Sequence, residues 1–144
     1  MRKKIYLAVI ERLKEIAGDN QIKHFDLWNQ NVEFIEQDTT FDMPAVFVEF
    51  APILWKTLGN NVQQADVEVR LHVVTEYKGA TADNSEFQTD ALAYFDLLDA
   101  INKKIFGLSG TGFNAFKRTS SATNHNHEEI IESIEVYSTN VIDR

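Results

Sequence analysis

Cysteine is absent from this chain of 144 residues. That excludes disulfides, a thiol nucleophile and thiolate-bound zinc, and it suits a reducing compartment. Basic side chains are scarce as well: 14 Lys and Arg stand against 22 Asp and Glu, a formal net charge of -8. Neutralising phosphates takes a clustered basic face, and the one basic run, Arg2-Lys3-Lys4, is too short to supply it, so no nucleic-acid readout is expected. Long apolar runs are missing too. Ile5 to Ile10 behind the basic run has the outline of an export signal, but Glu11 and Arg12 interrupt it early. Nothing approaches the roughly eighteen apolar residues of a membrane span, so a soluble protein without membrane contact is expected. What remains, 44% hydrophobic and 11% aromatic residues, is enough for one real core, and 1-144 reads as a single domain.

The clearest pattern runs from Val62 to Thr75. Ala65, Val67, Val69, Leu71 and Val73 alternate with Gln64, Asp66, Glu68, Arg70 and His72, a two-residue period that sorts apolar from polar only on an extended strand. A strand polar along one whole face belongs to an antiparallel sheet covered on one side. Met43 to Phe50 is the most apolar short run and reads as a central strand entered by Pro44. Gly59-Asn60-Asn61 supplies a turn, so 43-51 and 62-75 should pair antiparallel.

Helices frame these strands. Residues 3-17 carry Ile5, Val9, Leu13 and Ile16 at helical spacing, ended by Gly18-Asp19-Asn20. Ser85 opens a second, long helix with Gln88 as its capping-box partner, and Gly107 closes it. Its expected buried stripe is Phe87, Ala91, Tyr94, Phe95, Leu98, Ile101 and Ile105; Asp90, Asp96, Asp99 and Lys103 face water, the last two spaced for an ion pair. Shorter strands are expected at 22-28, at 113-119 near a sheet edge, and at 130-138 with Ile134 and Val136 inward and Glu135 and Tyr137 outward. The connection 29-42 carries Phe34, Ile35 and Phe41, more apolar surface than a solvated loop displays, and Trp55 sits in another connection as a lid or an interface anchor.

Chemistry is hard to find in this layout. His125-x-His127, followed by Glu128 and Glu129, is the one spacing that resembles a metal site, but no third ligand converges, and a hydrophilic turn is the expected reading. His24 and His72 lie on presumed polar strand faces. Ser109 and Ser120 lack a G-x-S-x-G context, and Gly107, Gly110 and Gly112 follow a helix instead of opening one, so neither a serine nucleophile nor a phosphate cradle is read there. Asp96 and Asp99 sit on a solvated face. No catalytic, cofactor-binding or metal-binding residue is assigned, and the chain is not expected to be an enzyme.

The expected order is α-β-β-β-α-β-β: an α+β fold with a mostly antiparallel sheet of about five strands and two helices packed on one face. Carried by Pro44 to Phe50 (PAVFVEF), Val67 to Val74 (VEVRLHVV), the helix from Phe87 to Ile105 and a last strand with Glu132, Ile134 and Tyr137, this order resembles the tail terminator, or tail completion, proteins of long-tailed bacteriophages and prophages. The resemblance implies a structural subunit without catalytic residues or cofactor. Such a subunit forms a ring, commonly hexameric, that caps the tail tube and meets the head-tail connector. Its partners would be itself, the tube protein and the connector protein, in the bacterial host cytoplasm during assembly and then in the virion tail. Apolar rings in connections and on a presumed edge strand make Phe34, Phe41, Trp55, Phe113 and Phe116 the candidate interface residues. Other readings are a different head-tail adaptor or minor tail protein, or a monomeric small-ligand-binding domain.

Overall fold

The computed structural model describes residues 1-29, 41-124 and 127-144. In chain order the elements are α1 (Arg2–Leu13), a short 3-10 turn (Gly18–Asn20), β1 (His24–Leu27), β2 (Ala45–Phe50), β3 (Lys56–Gly59), β4 (Val62–Glu76), α2 (Gln88–Ala91), α3 (Ala93–Ile105), β5 (Lys117–Asn124) and β6 (Ile130–Asp143). They form an α+β fold around one open six-stranded sheet of order β1-β2-β4-β6-β5, with β3 also paired to β4.

β4 is the strand that alternation predicted, and it pairs antiparallel with β2 from Ala45↔Val74 to Phe50↔Val69. Its other side pairs with β6 along its length, from Gln63↔Asp143 to Glu76↔Ile130. The sheet is mostly antiparallel, as expected, but mixed, because β1 runs parallel to β2. A parallel pair needs a crossover of a dozen residues or more, and the connection between these two strands has that length. The extra strand is β3. Asn60 (φ 50°) and Asn61 (φ 64°) take the left-handed conformations of a tight hairpin turn, so the predicted Gly59-Asn60-Asn61 turn joins β4 to β3 and not directly to β2.

The odd-numbered face of β4 (Ala65, Val67, Val69, Leu71, Val73) packs with Val46 and Val48 of β2 and with Tyr137 and Val141 of β6. Over that face lie Ile5, Val9 and Leu13 from α1 and Leu97, Ile101 and Ile105 from α3. A smaller cluster occupies one end of the opposite face: Ala45, Phe47, Val74 and Ile130, with Trp28, Phe41 and Met43 against them.

Several expectations are corrected by this packing. α1 stops at Leu13, short of residue 17. The long helix is divided at Leu92; Ser85 Oγ accepts from the Phe87 amide, and Gln88 turns to the Thr81 carbonyl, so no reciprocal capping box forms. Leu97, 2% exposed, takes the central core position expected of Leu98, while Phe87 and Phe95 are half exposed. Asp99 and Lys103 make no ion pair. On β6 the expected sense is reversed: Tyr137 and Glu135 lie on the helix-covered face, Tyr137 fully buried and donating to Asn102 Oδ1 at 3.0 Å, while Val136 and Ile134 lie on the other. A strand buried on both faces gives no inward sense by alternation alone. The strand expected at 113-119 instead runs from Lys117 to Asn124.

Deleting a buried leucine leaves both a transfer loss and a cavity, so Leu97→Ala should cost about 2 to 5 kcal/mol, and Leu98→Ala distinctly less. Urea melts of the two variants check this. Equal losses would mean that the stripe is centred between the two residues.

Candidate functional site

The even-numbered face of β4 brings Glu68, Arg70 and His72 into one row, and the flanking strands add a carboxylate on each side of the histidine. His72 Nδ1 lies 2.7 Å from Glu132 Oε2 of β6, and Nε2 lies 2.8 Å from Glu49 Oε1 of β2. Ionised carboxylates only accept, so a ring nitrogen donates wherever it carries the proton, and both nitrogens face a carboxylate oxygen. Register produces this meeting: Val74 is opposite Glu132 and Arg70 opposite Glu49, which sets both acids diagonal to His72.

The surroundings close the cluster. Trp28, whose amide donates to the Val48 carbonyl at 2.8 Å, stacks flat on the imidazole with ring centroids 3.7 Å apart and planes inclined by 3°. His72 is 5% exposed and Glu132 2%. Burial alone would raise the Glu132 pKa; hydrogen bonds from His72 and from Asn124 Nδ2 (2.8 Å), with positive charge on His72 and on His127, outweigh it and hold the carboxyl below its ordinary value. His127 Nε2 stands 3.6 Å from Glu132 Oε1. On the other flank Arg70 donates to Glu68 through Nε at 2.9 Å and Nη2 at 2.7 Å, and reaches Glu49 at 3.6 Å. Charge therefore alternates along Glu68, Arg70, Glu49, His72 and Glu132.

A histidine beside a carboxylate has the outline of an acid-base pair, but here both nitrogens are engaged and one ring face is covered. A base that takes a substrate proton needs a free nitrogen within reach of it. The cluster joins three strands by charge and hydrogen bonding and offers no such nitrogen. Sequence patterning placed Glu68, Arg70 and His72 together; Glu49 and Glu132 become visible only once the register is known.

The candidate interface residues are dispersed. Phe34 lies outside the described residues, as do Ile35 and His125. Phe41 turns inward, stacked on His24 at 5.5 Å and edge-on to Phe47 at 5.0 Å. Phe113 and Phe116 are buried in the main core, not placed on an edge strand, with rings 5.7 Å apart. Among the described members of the set Trp55 alone is exposed, at 38%, beside exposed Leu54 and Leu58. Patterning missed Phe113 because a turn, not a strand, carries it: Gly110 and Phe113 exchange backbone hydrogen bonds, and a Cβ on Gly110 would come within 2.6 Å of the Phe113 ring.

Two clefts open on the helical side of the sheet. One, of about 530 Å³, lies between the 3-10 turn and α2–α3, with Thr75, Leu97 and Tyr94 among its walls and Lys23, Lys78 and Asp90 near its rim. The Thr75 hydroxyl is buried without a hydrogen-bond partner among the described residues. The other is a groove of about 380 Å³ between α3 and β5, lined by Phe95, Leu98, Asp99, Arg118 and Ala122. Glu135 at its side accepts from Ser121 Oγ and stands 3.8 Å from Arg118. Neither cleft is lined by Glu49, His72 or Glu132. Among the described residues no group of three His, Asp or Glu is arranged to hold a metal ion, and no helix is long and apolar enough to cross a membrane. No family model matches the chain, and no curated protein matches it.

The depressed Glu132 pKa fixes a sign. A carboxyl held below its unfolded value contributes stability that is fully present above about pH 4.3, the unfolded glutamate range, and is lost as pH falls through the folded value. Glu132→Gln should therefore cost about 3 kcal/mol at pH 7, where it breaks a buried hydrogen-bonded pair, and less near pH 3. Denaturant melts at both pH values measure the difference. A penalty independent of pH would mean that Glu132 acts only as a neutral hydrogen-bond partner.

Proposed function

We propose that this chain is a structural subunit of a phage or prophage tail, a terminator that assembles as a ring, caps the tail tube and joins it to the head connector. The observation that carries the reading is the sequence resemblance borne by PAVFVEF, VEVRLHVV, the helical stretch from Phe87 to Ile105 and the closing strand; the fold keeps their order, with β3 added and the helix divided at Leu92. The site geometry is compatible: the buried ionisable cluster is consumed by internal contacts, whereas large apolar side chains stand exposed at Leu54, Trp55, Leu58, Phe95 and Phe106. Exposed apolar surface without a catalytic centre suits a protein that works by contact. On this reading it acts as no enzyme and needs no cofactor.

A second reading has one observation in its favour. The cleft beside Thr75, with an unsatisfied hydroxyl in its wall, would suit a monomeric small-ligand-binding domain.

Sedimentation across a range of concentrations, followed by electron microscopy of tail tubes mixed with the protein, separates the two. The terminator reading expects a closed ring at high concentration or rings seated on tube ends. A protein that stays monomeric throughout and leaves tube ends bare would overturn it in favour of the cleft.

A further inference from the structure

The helical layer sorts its charge by edge. On α1 the exposed side chains include Arg2, Lys3, Lys4, Leu7 and Glu11, Lys14 follows at its C-terminal cap, and Leu7 is 52% exposed. On α2 and α3, Asp90, Asp96 and Asp99 are exposed around Phe95 (49%) and Phe106 (59%), with exposed Lys103 one turn after Asp99. None of these cations or acids makes an ion pair among the described residues. In a chain of net charge -8, Lys3 and Lys4 one turn before the exposed Leu7 are a local exception, with Glu11 one turn after it.

The two patches lie on opposite flanks. α1 sits toward the β1 edge, where Tyr6, its pKa raised by burial and then by the nearby Asp26 carboxylate of β1, marks the proximity. α3 sits toward the β5 edge, with the 380 Å³ groove between them. The inner flanks of the helices already meet, through Arg12 Nε to the Lys104 carbonyl at 3.4 Å and Lys104 Nζ to Glu15 at 3.4 Å. Only the outer flanks are free.

We propose that α1 of one copy docks on the α3–β5 flank of the next, with Leu7 entering the groove beside Phe95 and Leu98 and with Lys3 and Lys4 facing Asp96 and Asp99. The proposal deepens the ring reading above and rests on it for closure. A two-fold contact between like flanks would set lysine against lysine or aspartate against aspartate, and like charges across an interface are unfavourable. Unlike flanks on opposite sides of the molecule instead give a head-to-tail contact that repeats, and such a contact closes when its rotation divides the circle. The same approach brings the two sheet edges, β1 and β5, toward each other, adding area to what one leucine and two phenylalanines could bury.

Charge reversal tests the pairing. Lys3→Glu with Lys4→Glu makes both flanks acidic, and Asp96→Lys with Asp99→Lys makes both basic; all four positions are exposed, and circular dichroism checks that each variant folds. Sedimentation should show each double variant losing self-association at least tenfold relative to the unaltered protein. An equimolar mixture of the two should associate again, each copy meeting the other kind on both sides, and the quadruple variant should recover by itself. Double variants that assemble like the parent would overturn the surface and leave the ring reading standing, as would loss without recovery in the mixture and the quadruple variant. A parent that neither self-associates nor binds tube ends would overturn the ring reading and this proposal with it.

Discussion

The register of β4 against its two neighbours is the constraint on which the rest depends. Side chains alternate with a period of two, so a one-residue slip of β4 would move Val67, Val69, Leu71 and Val73 out from under the helices and put Glu68, Arg70 and His72 in their place. Burying an unpaired charge costs far more than any local gain could return. The long ladder with β6 and the shorter one with β2 must therefore both be in step before the helices have an apolar surface to cover. Once they are, Glu49 and Glu132 arrive beside His72 without any further choice by the chain.

That arrival bears on specificity more than on net stability. Removing an imidazole and two carboxylates from water is expensive, and apolar residues of similar volume would often serve stability as well. What apolar residues would not do is discriminate between registers. A slip on the β6 side would leave Glu132 without His72, and a slip on the β2 side would part Glu49 from both His72 and Arg70. The flat stack of Trp28 on His72 extends the same discrimination to β1, since Trp28 is aligned by its amide bond to Val48. Four strands are thus checked against one another through one imidazole.

How much of this was legible follows from how each element is buried. β4 was read correctly because one of its faces is continuously apolar, and the core face of α1 was legible for the same reason. β6 was inverted because it is buried on both faces, where Tyr137 and Val136 present equivalent claims to the core and only the Asn102 partner under α3 decides between them. β3, exposed throughout, carries no burial pattern at all. Leu97 displaced Leu98 because the helix is divided at Leu92, which a continuous 3.6-residue period cannot anticipate. The histidine cluster was half legible: alternation grouped Glu68, Arg70 and His72, but its two acids come from strands distant in sequence. Phe113 and Phe116 were assigned to an edge because a glycine-rich turn masks how sharply the chain folds back on the core.

The second face of the sheet changes character along β4, and the change is ordered. At one end Val74 joins the small apolar cluster; next comes His72 with its paired acids, then Arg70 clamped to Glu68. Farther along, Asn140 Nδ2 donates to Asp66 Oδ1 at 3.0 Å and its Oδ1 accepts from Gln64 Nε2 at 3.0 Å, linking β4 to β6 through side chains at the surface. The face passes from buried to partly exposed, yet its polar side chains stay tied to neighbours. A partner meeting a free lysine or glutamate must pay for immobilising it, about 0.5 to 1.5 kcal/mol for each rotamer-rich side chain. Side chains already held by Asn140 have lost much of that freedom on folding. The open end of this face is accordingly a preorganised polar surface, and its low remaining side-chain entropy is a physical property that the helical flanks, with their unpaired lysines and aspartates, do not share.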